Sequence, residues 1–417
     1  MDFEAVWNKV SDLPWCALVA TGRTGSDALQ SQLDSHPQII GLTSQLYFYE
    51  WWAGSAVANY TGIMDLGDLV DEFIWTNIRH MKTRYDGRER KDELGDDQNQ
   101  EIPMDLAEFR ANVIGLLEGR EITARKMLIA IYIAQALALG QDLESKKIFF
   151  HHIHHVRKLP RFMIDFPDCK VIAMTRDPRA AYYSGVVHWR KAVSVADNPS
   201  FPQSILSRIV DEIKPIVEVG DRLRVMRLEN LDDHGSMEAL CHWLEIEYYD
   251  SVMESTWAGL RWWGDKMSTA KTNKNMTENE FVKAIRSNNW ELKLSAIDKF
   301  VLRVLLNPQL RHYGYCPDRK PSLLEYICAL PALFLVTSFE ARYWHPAYIL
   351  GALRKRQIKE VLRVFYHYLR RVRYFMQLYR RSLRGFYYPV DSIRSTPSAR
   401  QQRLNTSLEK KPVTPAR

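Results

Sequence analysis

The chain has 417 residues, with 57 Lys and Arg against 50 Asp and Glu, 46% hydrophobic and 12% aromatic residues. That composition excludes wholesale disorder and a collagen-like repeat, and the length suits two domains or one large α/β domain with an appendage. The net charge of +7 conceals a division, because residues 320–417 hold 19 basic and 5 acidic groups (+14), leaving residues 1–319 at −7. Such asymmetry points to an acidic surface as the partner of the C-terminal region.

The N-terminal stretch MDFEAVWNKVSDLPW has no basic segment leading into a long apolar run, so neither a signal peptide nor an N-terminal anchor is expected. WCALVA (residues 15–20) has the length of a buried strand, TGRTGS is a glycine-bearing turn, and DALQSQLDSHPQ a helix with apolar Ala28, Leu29 and Leu33. Residues 64–140 are mostly helical in pattern, with a polar break at 85–100. Further strands are predicted at 147–150, 170–175 and 224–228, the second followed by a turn and helix (RDPRAAYYSGVVHWRK) and the third by a helix at 236–244. Strands alternating with helices predict a parallel sheet covered on both faces, a three-layer α/β/α architecture. Cys16, Cys169, Cys241, Cys316 and Cys328 are odd in number and form no CxxC pair, which fits a reducing, cytoplasmic compartment better than a disulfide framework or a zinc site.

Beyond Pro317 the character changes. Residues 323–339 are strongly apolar but contain Glu325 and Pro331 and fall short of the roughly 20 residues a spanning helix needs. From Ile358 onward, Val361, Leu362, Phe365, Leu369, Val372, Phe375, Met376, Tyr379 and Leu383 keep helical spacing, interleaved with Arg363, Arg370, Arg371, Arg373, Arg380, Arg381 and Arg384. An apolar face opposite a basic one is the pattern of a helix lying in a membrane interface. Three units follow: residues 1–319, an amphipathic helical region at 320–388 that associates with an anionic membrane surface, and a disordered tail at 389–417. The alternative for 320–385 is packing against a partner subunit, and a homodimer is left open. Nucleic acid is the less favoured partner, because the arginines alternate with a continuous apolar face.

Two turns carry the chemistry. Thr21-Gly22-Arg23-Thr24-Gly25-Ser26 lies where a βα turn offers backbone N–H groups and a helix N-terminus to an anion, with Arg23 as a fixed positive charge. Arg176-Asp177-Pro178-Arg179 follows the strand KVIAMT, where Arg176 can hold a phosphate bidentately and Ser184 adds a hydroxyl donor. Two such turns at the carboxyl ends of parallel strands make one crevice for one ligand with two phosphate ends.

These residues resemble the sulfotransferases that use 3′-phosphoadenosine 5′-phosphosulfate (PAPS). ATGRTGSDALQSQLDSHPQIIG is similar to that family's 5′-phosphosulfate loop and helix, and FPDCKVIAMTRDPRAAYYS to its 3′-phosphate segment. Weaker similarities follow in order through HHVRKLPRFMIDFPDCK, RLENLDDHGSMEALCHWLEIE and the stretch ending RHYGY, so the resemblance spans about residues 12–316. It implies a P-loop-like sulfotransferase fold with PAPS as co-substrate. Arg23, Thr24, Gly25 and Ser26 would hold the 5′-phosphosulfate, Arg176 and Ser184 the 3′-phosphate, and Gly264 and Lys266, in a looser match, the nucleotide's third segment. Trp262 and Trp263 beside them have an alternative reading as core. Asp27 departs from the family's Ser or Thr; either it charges the first helical turn favourably or it weakens the nucleotide site. That departure keeps a second reading alive, a catalytically inactive membrane adaptor.

Sulfuryl transfer needs a base at the acceptor and positive charge near the leaving phosphate. The resemblance offers His155 at a position where the family often has histidine, with His151 in place of its usual lysine. Strict strand alternation would put His152 and His154 on one face and His151 on the other. A metal site is the rival reading of four histidines in five residues; no carboxylate or cysteine stands at ligand spacing, and no metal is expected. Glu50 is a second base candidate, with a surface carboxylate as its alternative. Arg23, His155, His152 and Glu50 are therefore the catalytic candidates. The acceptor is a small molecule or saccharide, a glycolipid sugar suiting both the aromatic residues Tyr47, Trp51, Trp52 and Trp75 and the membrane-seeking tail.

Overall fold

The structure is a computed structural model that describes residues 1–20, 24–43, 45–55, 65–81, 92–192, 198–211, 219–264, 290–316 and 319–385. In chain order the elements are α1 (Phe3–Val10), β1 (Trp15–Ala20), α2 (Ser26–Leu33), β2 (Ile39–Gly41), α3 (Phe48–Gly54), α4 (Leu66–Met81), α5 (Leu106–Leu117), α6 (Ala124–Ala138), β3 (Ile148–His155) and α7 (Leu159–Asp165). There follow β4 (Lys170–Thr175), α8 (Pro178–Ala192), α9 (Phe201–Asp211), β5 (Leu223–Arg227), α10 (His234–Leu244), β6 (Thr256–Trp257) and β7 (Leu260–Arg261). The C-terminal elements are α11 (Trp290–Lys293), α12 (Ala296–Leu305), α13 (Asn307–His312), α14 (Leu323–Ala332), α15 (Pro346–Arg354) and α16 (Ile358–Arg384).

Five strands form one parallel sheet in the order β2-β3-β1-β4-β5. All six residues of WCALVA are buried because helices cover both faces, which is why this strand is continuously apolar instead of alternating. β1 and β4 lie at their predicted positions, and β5 begins and ends one residue before its predicted bounds. Two strands differ from expectation. β2, three residues long, is too short to leave a periodic signal. β3 begins one residue after its predicted start and runs five residues past its predicted end, to His155, so the histidines lie inside the strand and not after it. The N-caps are chemically plain: Asp105, Thr123, Asp233 and Ser295 each accept a backbone N–H of the first turn, and Ser322 with Glu325 makes a capping box.

The main core fills both sides of the sheet. A second core joins Tyr182 and Val186 of α8, Leu206 of α9 and Leu302 and Leu305 of α12 to Leu333, Tyr343, Phe375 and Leu378. Residue 319 thus marks a change of composition, while the packing runs through it. Arg371, expected on the solvated face of α16, is fully buried and pairs with Glu340 at 2.7 Å, because the helix turns that side inward. The predicted tail at 389–417, residues 386–388 and the part of the polar break at 85–91 lie outside the described residues.

Candidate active site

Register gathers the predicted turns. Ala20, the last residue of β1, lies between His155 of β3 and Met174 of β4, so the segments leading into both predicted anion turns leave the same edge of the sheet. Gly25 N-caps α2 at φ +86°, a left-handed conformation that a β-carbon strains, and Leu228 after β5 occupies the space such a carbon would need. Among the described residues no side chain caps α2, which leaves its first N–H groups without an intrahelical partner. The helix itself is almost wholly buried and anchored through Gln30 Nε2 to the Leu42 carbonyl (2.7 Å) and Gln32 Nε2 to the Leu231 carbonyl (2.9 Å). Thr24 and Ser26 are buried beside Gly25, whereas Arg23 lies outside the described residues.

The second turn is braced from β5. The backbone N–H of Asp177 donates to Glu229 Oε1 (3.2 Å), and Tyr315 donates to Glu229 Oε2 (2.6 Å). Burial together with the Glu229 charge pushes the Tyr315 phenol well above its ordinary range, so it stays a donor. Arg179 is committed to Asp177, with Nη2–Oδ2 at 2.7 Å, and stacks over Trp290. Arg176 holds a buried guanidinium directly after β4. The 228–229 segment therefore supports both turns, through Leu228 on the first and Glu229 on the second; the sequence shows these residues only as part of an acidic stretch.

Two buried hydroxyls lie at predicted ligand positions. Thr24 Oγ1 and Ser184 Oγ make no hydrogen bond among the described residues. A buried hydroxyl left unsatisfied costs about 1–3 kcal/mol.

The histidines separate. His151 stacks on Phe162 (4.9 Å), its Nδ1 lies 2.6 Å from the Tyr132 hydroxyl, and burial pushes its pKa down to about 3, so it is neutral. His152 turns to α2, its Nδ1 2.7 Å from Gln30 Oε1 and 3.7 Å from Asp27 Oδ1. A bulge opposite Leu18 and Val19 interrupts β3, pairing Val19 with His154, so the simple alternation predicted for His152 and His154 does not carry across it. The His154 side chain is outside the described residues. His155 is half-buried beside Ala20, at the mouth of the first turn. Among the described residues, no three metal-binding side chains come together.

Glu50 lies in the first turn of α3. It pairs with Lys158 at 2.5 Å on the wall of a cavity of about 190 Å³, whose lining includes Phe48, His151, Ile153, Arg161 and Phe162. Trp51 is packed against Phe73 and Phe48, while Trp75 is exposed. Trp262 and Trp263 take the core reading: Trp262 packs against Trp257, and Trp263 Nε1 donates to the Gly95 carbonyl at 2.7 Å. Gly264 follows at φ +75°, buried; Lys266 lies outside the described residues.

A family model for the sulfotransferase domain matches residues 16–300. Among solved structures, the sulfotransferase domain of the Synechococcus PCC 7002 olefin synthase is 15% identical, covering 66% of this chain and 87% of its own, with a TM-score of 0.34. Sulfotransferase STF9 from Mycobacterium avium is 14% identical, covering 60% of this chain and 70% of its own, with a TM-score of 0.32. No curated protein sequence matches the chain.

Proposed function

The chain belongs to the sulfotransferase family, and on that premise we propose that it moves the sulfuryl group of PAPS to a hydroxyl or amine of an acceptor. The observation that carries this reading is the pair of buried, unsatisfied hydroxyls, Thr24 Oγ1 and Ser184 Oγ, at the two positions a nucleotide with two phosphate ends would occupy. PAPS, when bound, supplies the activated sulfuryl group and a phosphate leaving group. Thr24, Gly25 and Ser26 would hold its 5′ end at the N-terminus of α2, and Arg176 with Ser184 its 3′-phosphate. Arg23 belongs to the same set by resemblance.

His155 is the base in this reading, because its register places it beside the first turn. His151 is held neutral by burial and engaged by Tyr132, which suits a wall residue. His152, between Gln30 and Asp27, orients α2 against β3 and is a positioning residue. Asp27 sits in the first turn of α2, 41% exposed, where a carboxylate favours the helix dipole. The acceptor would enter the cavity beside β3, whose aromatic and cationic walls suit a saccharide, including one carried on a lipid.

Isothermal titration with 3′-phosphoadenosine 5′-phosphate tests the nucleotide site; absence of binding at millimolar ligand sinks the enzyme reading. Radiolabelled PAPS offered to saccharides and lipid extracts then identifies the acceptor.

A further inference from the structure

Helix α16 carries two apolar stripes. Val361, Val364, Phe375 and Leu378 are buried on the same side as Arg371, and Phe375 and Leu378 join the second core. Ile358, Leu362, Phe365, Leu369 and Leu383 recur at helical spacing on another side and are each at least half exposed. An amphipathic surface helix needs only the first stripe to dock, so the second has no partner within the chain's described residues. It is also not isolated: α15, packed against α16, exposes Leu350 and Leu353. Contiguous exposed apolar surface of this kind marks an interaction site.

Charge identifies the occupant. Lys359, Arg363, Arg370, Arg373, Arg380 and Arg384 are exposed in a row beside the outward stripe. Residues 320–385 hold 13 basic and 3 acidic residues, and all three carboxylates are engaged: Glu325 with Arg303 and Arg319, Glu340 with Arg371, and Glu360 with Arg363. A second copy docked stripe to stripe would bring two basic rows together, and residues 386–417, with 6 basic and 2 acidic groups, share the sign of the row. No helix among the described residues is long and apolar enough to cross a membrane. We propose that the outward stripe and the basic row of α16 seat the protein in-plane on an anionic lipid bilayer, the stripe among the acyl chains and the row at the headgroups. This docking is independent of the sulfuryl-transfer reading.

The test is flotation of the full-length protein with phosphatidylcholine vesicles, with and without one-third phosphatidylglycerol. Wild type floats with the anionic vesicles and is released in about 1 M salt, where the Debye length is roughly 3 Å. Phe365→Glu with Leu369→Glu lowers the bound fraction at least about tenfold, and Arg370→Glu with Arg373→Glu does the same on anionic vesicles alone. All four side chains are exposed, and an unchanged melting temperature shows that the fold is intact. Failure of wild type to float, or equal flotation of wild type and the Phe365/Leu369 variant, overturns the proposal. So does a wild-type dimer in sedimentation velocity that the same variant splits into monomers, which would assign the stripe to a second copy.

Discussion

Leu228, immediately after the edge strand β5, fills the space in front of Gly25, in the turn after the central strand β1. A residue two strands away thus packs against the first candidate anion turn, and Gly25 is fixed twice, by its φ of +86° and by Leu228. Gly25→Ala is expected to cost at least about 1–2 kcal/mol from the left-handed backbone alone. It should also weaken binding of 3′-phosphoadenosine 5′-phosphate; urea unfolding and titration calorimetry measure the two effects. Unchanged stability would mean that the turn is not held as described.

Thr24→Ala and Ser184→Ala should separate stability from binding. Neither hydroxyl has a partner among the described residues, so removal changes unfolding free energy by no more than about 0.5 kcal/mol or raises it. Each hydrogen bond to a charged phosphate contributes about 1.5–3 kcal/mol, so nucleotide affinity should fall about tenfold or more. Loss of stability with unchanged affinity would contradict the assignment.

His155→Ala should lower kcat by about 10²–10⁴ if this side chain takes the acceptor's proton, with nucleotide affinity preserved. Glu50→Gln should alter stability by less than about 1 kcal/mol, because its pair with Lys158 is half exposed. A larger kcat loss in Glu50→Gln than in His155→Ala would transfer the role of base to Glu50.

Stability should depend on His151 in mildly acid solution. In the unfolded chain this histidine takes up its proton near 6.5, whereas burial delays uptake in the folded protein to about 3. Its contribution is fully present above pH 6.5 and is lost as the pH falls from there toward about 3. His151→Gln should flatten the unfolding free energy against pH in that window by up to one proton, about 1.4 kcal/mol per pH unit. Identical slopes would show that His151 is protonated in the folded state.

The Arg371–Glu340 pair should hold the C-terminal helices to the sheet domain. Burial alone would raise the Glu340 carboxyl, but the Arg371 charge and the hydrogen bonds from Arg371, Thr337 and Tyr182 outweigh it and hold the pKa low. Glu340→Gln leaves Arg371 buried without its counter-charge and should cost about 3–5 kcal/mol in urea unfolding. Glu340→Leu with Arg371→Met should recover much of that loss. Equal losses in the single and double variants would mean that packing, and not the charge, sets the cost.

Much of the site was legible in the sequence because strand, glycine turn and helix N-terminus are local features. WCALVA, TGRTGS and KVIAMTRDPR each announce their geometry within a few residues. The support for those turns was not legible, since Leu228 and Glu229 lie about 200 and 50 residues from the turns they hold and carry no local signal of that duty. The histidine cluster was misread in part for a similar reason: alternation assumes a regular strand, and only pairing with β1 reveals the bulge.

The sequence by itself determined the α/β class, two candidate anion turns and the division of charge, because periodicity, turn chemistry and composition are properties of neighbouring residues. Tertiary structure decided which of those residues act together. It set His155 next to Ala20, buried Thr24 and Ser184 without hydrogen-bond partners among the described residues, and turned one stripe of α16 inward around Arg371 while leaving the other outside. Burial and pairing depend on what the rest of the chain brings alongside, and a helical period shows that a face is apolar without showing what covers it.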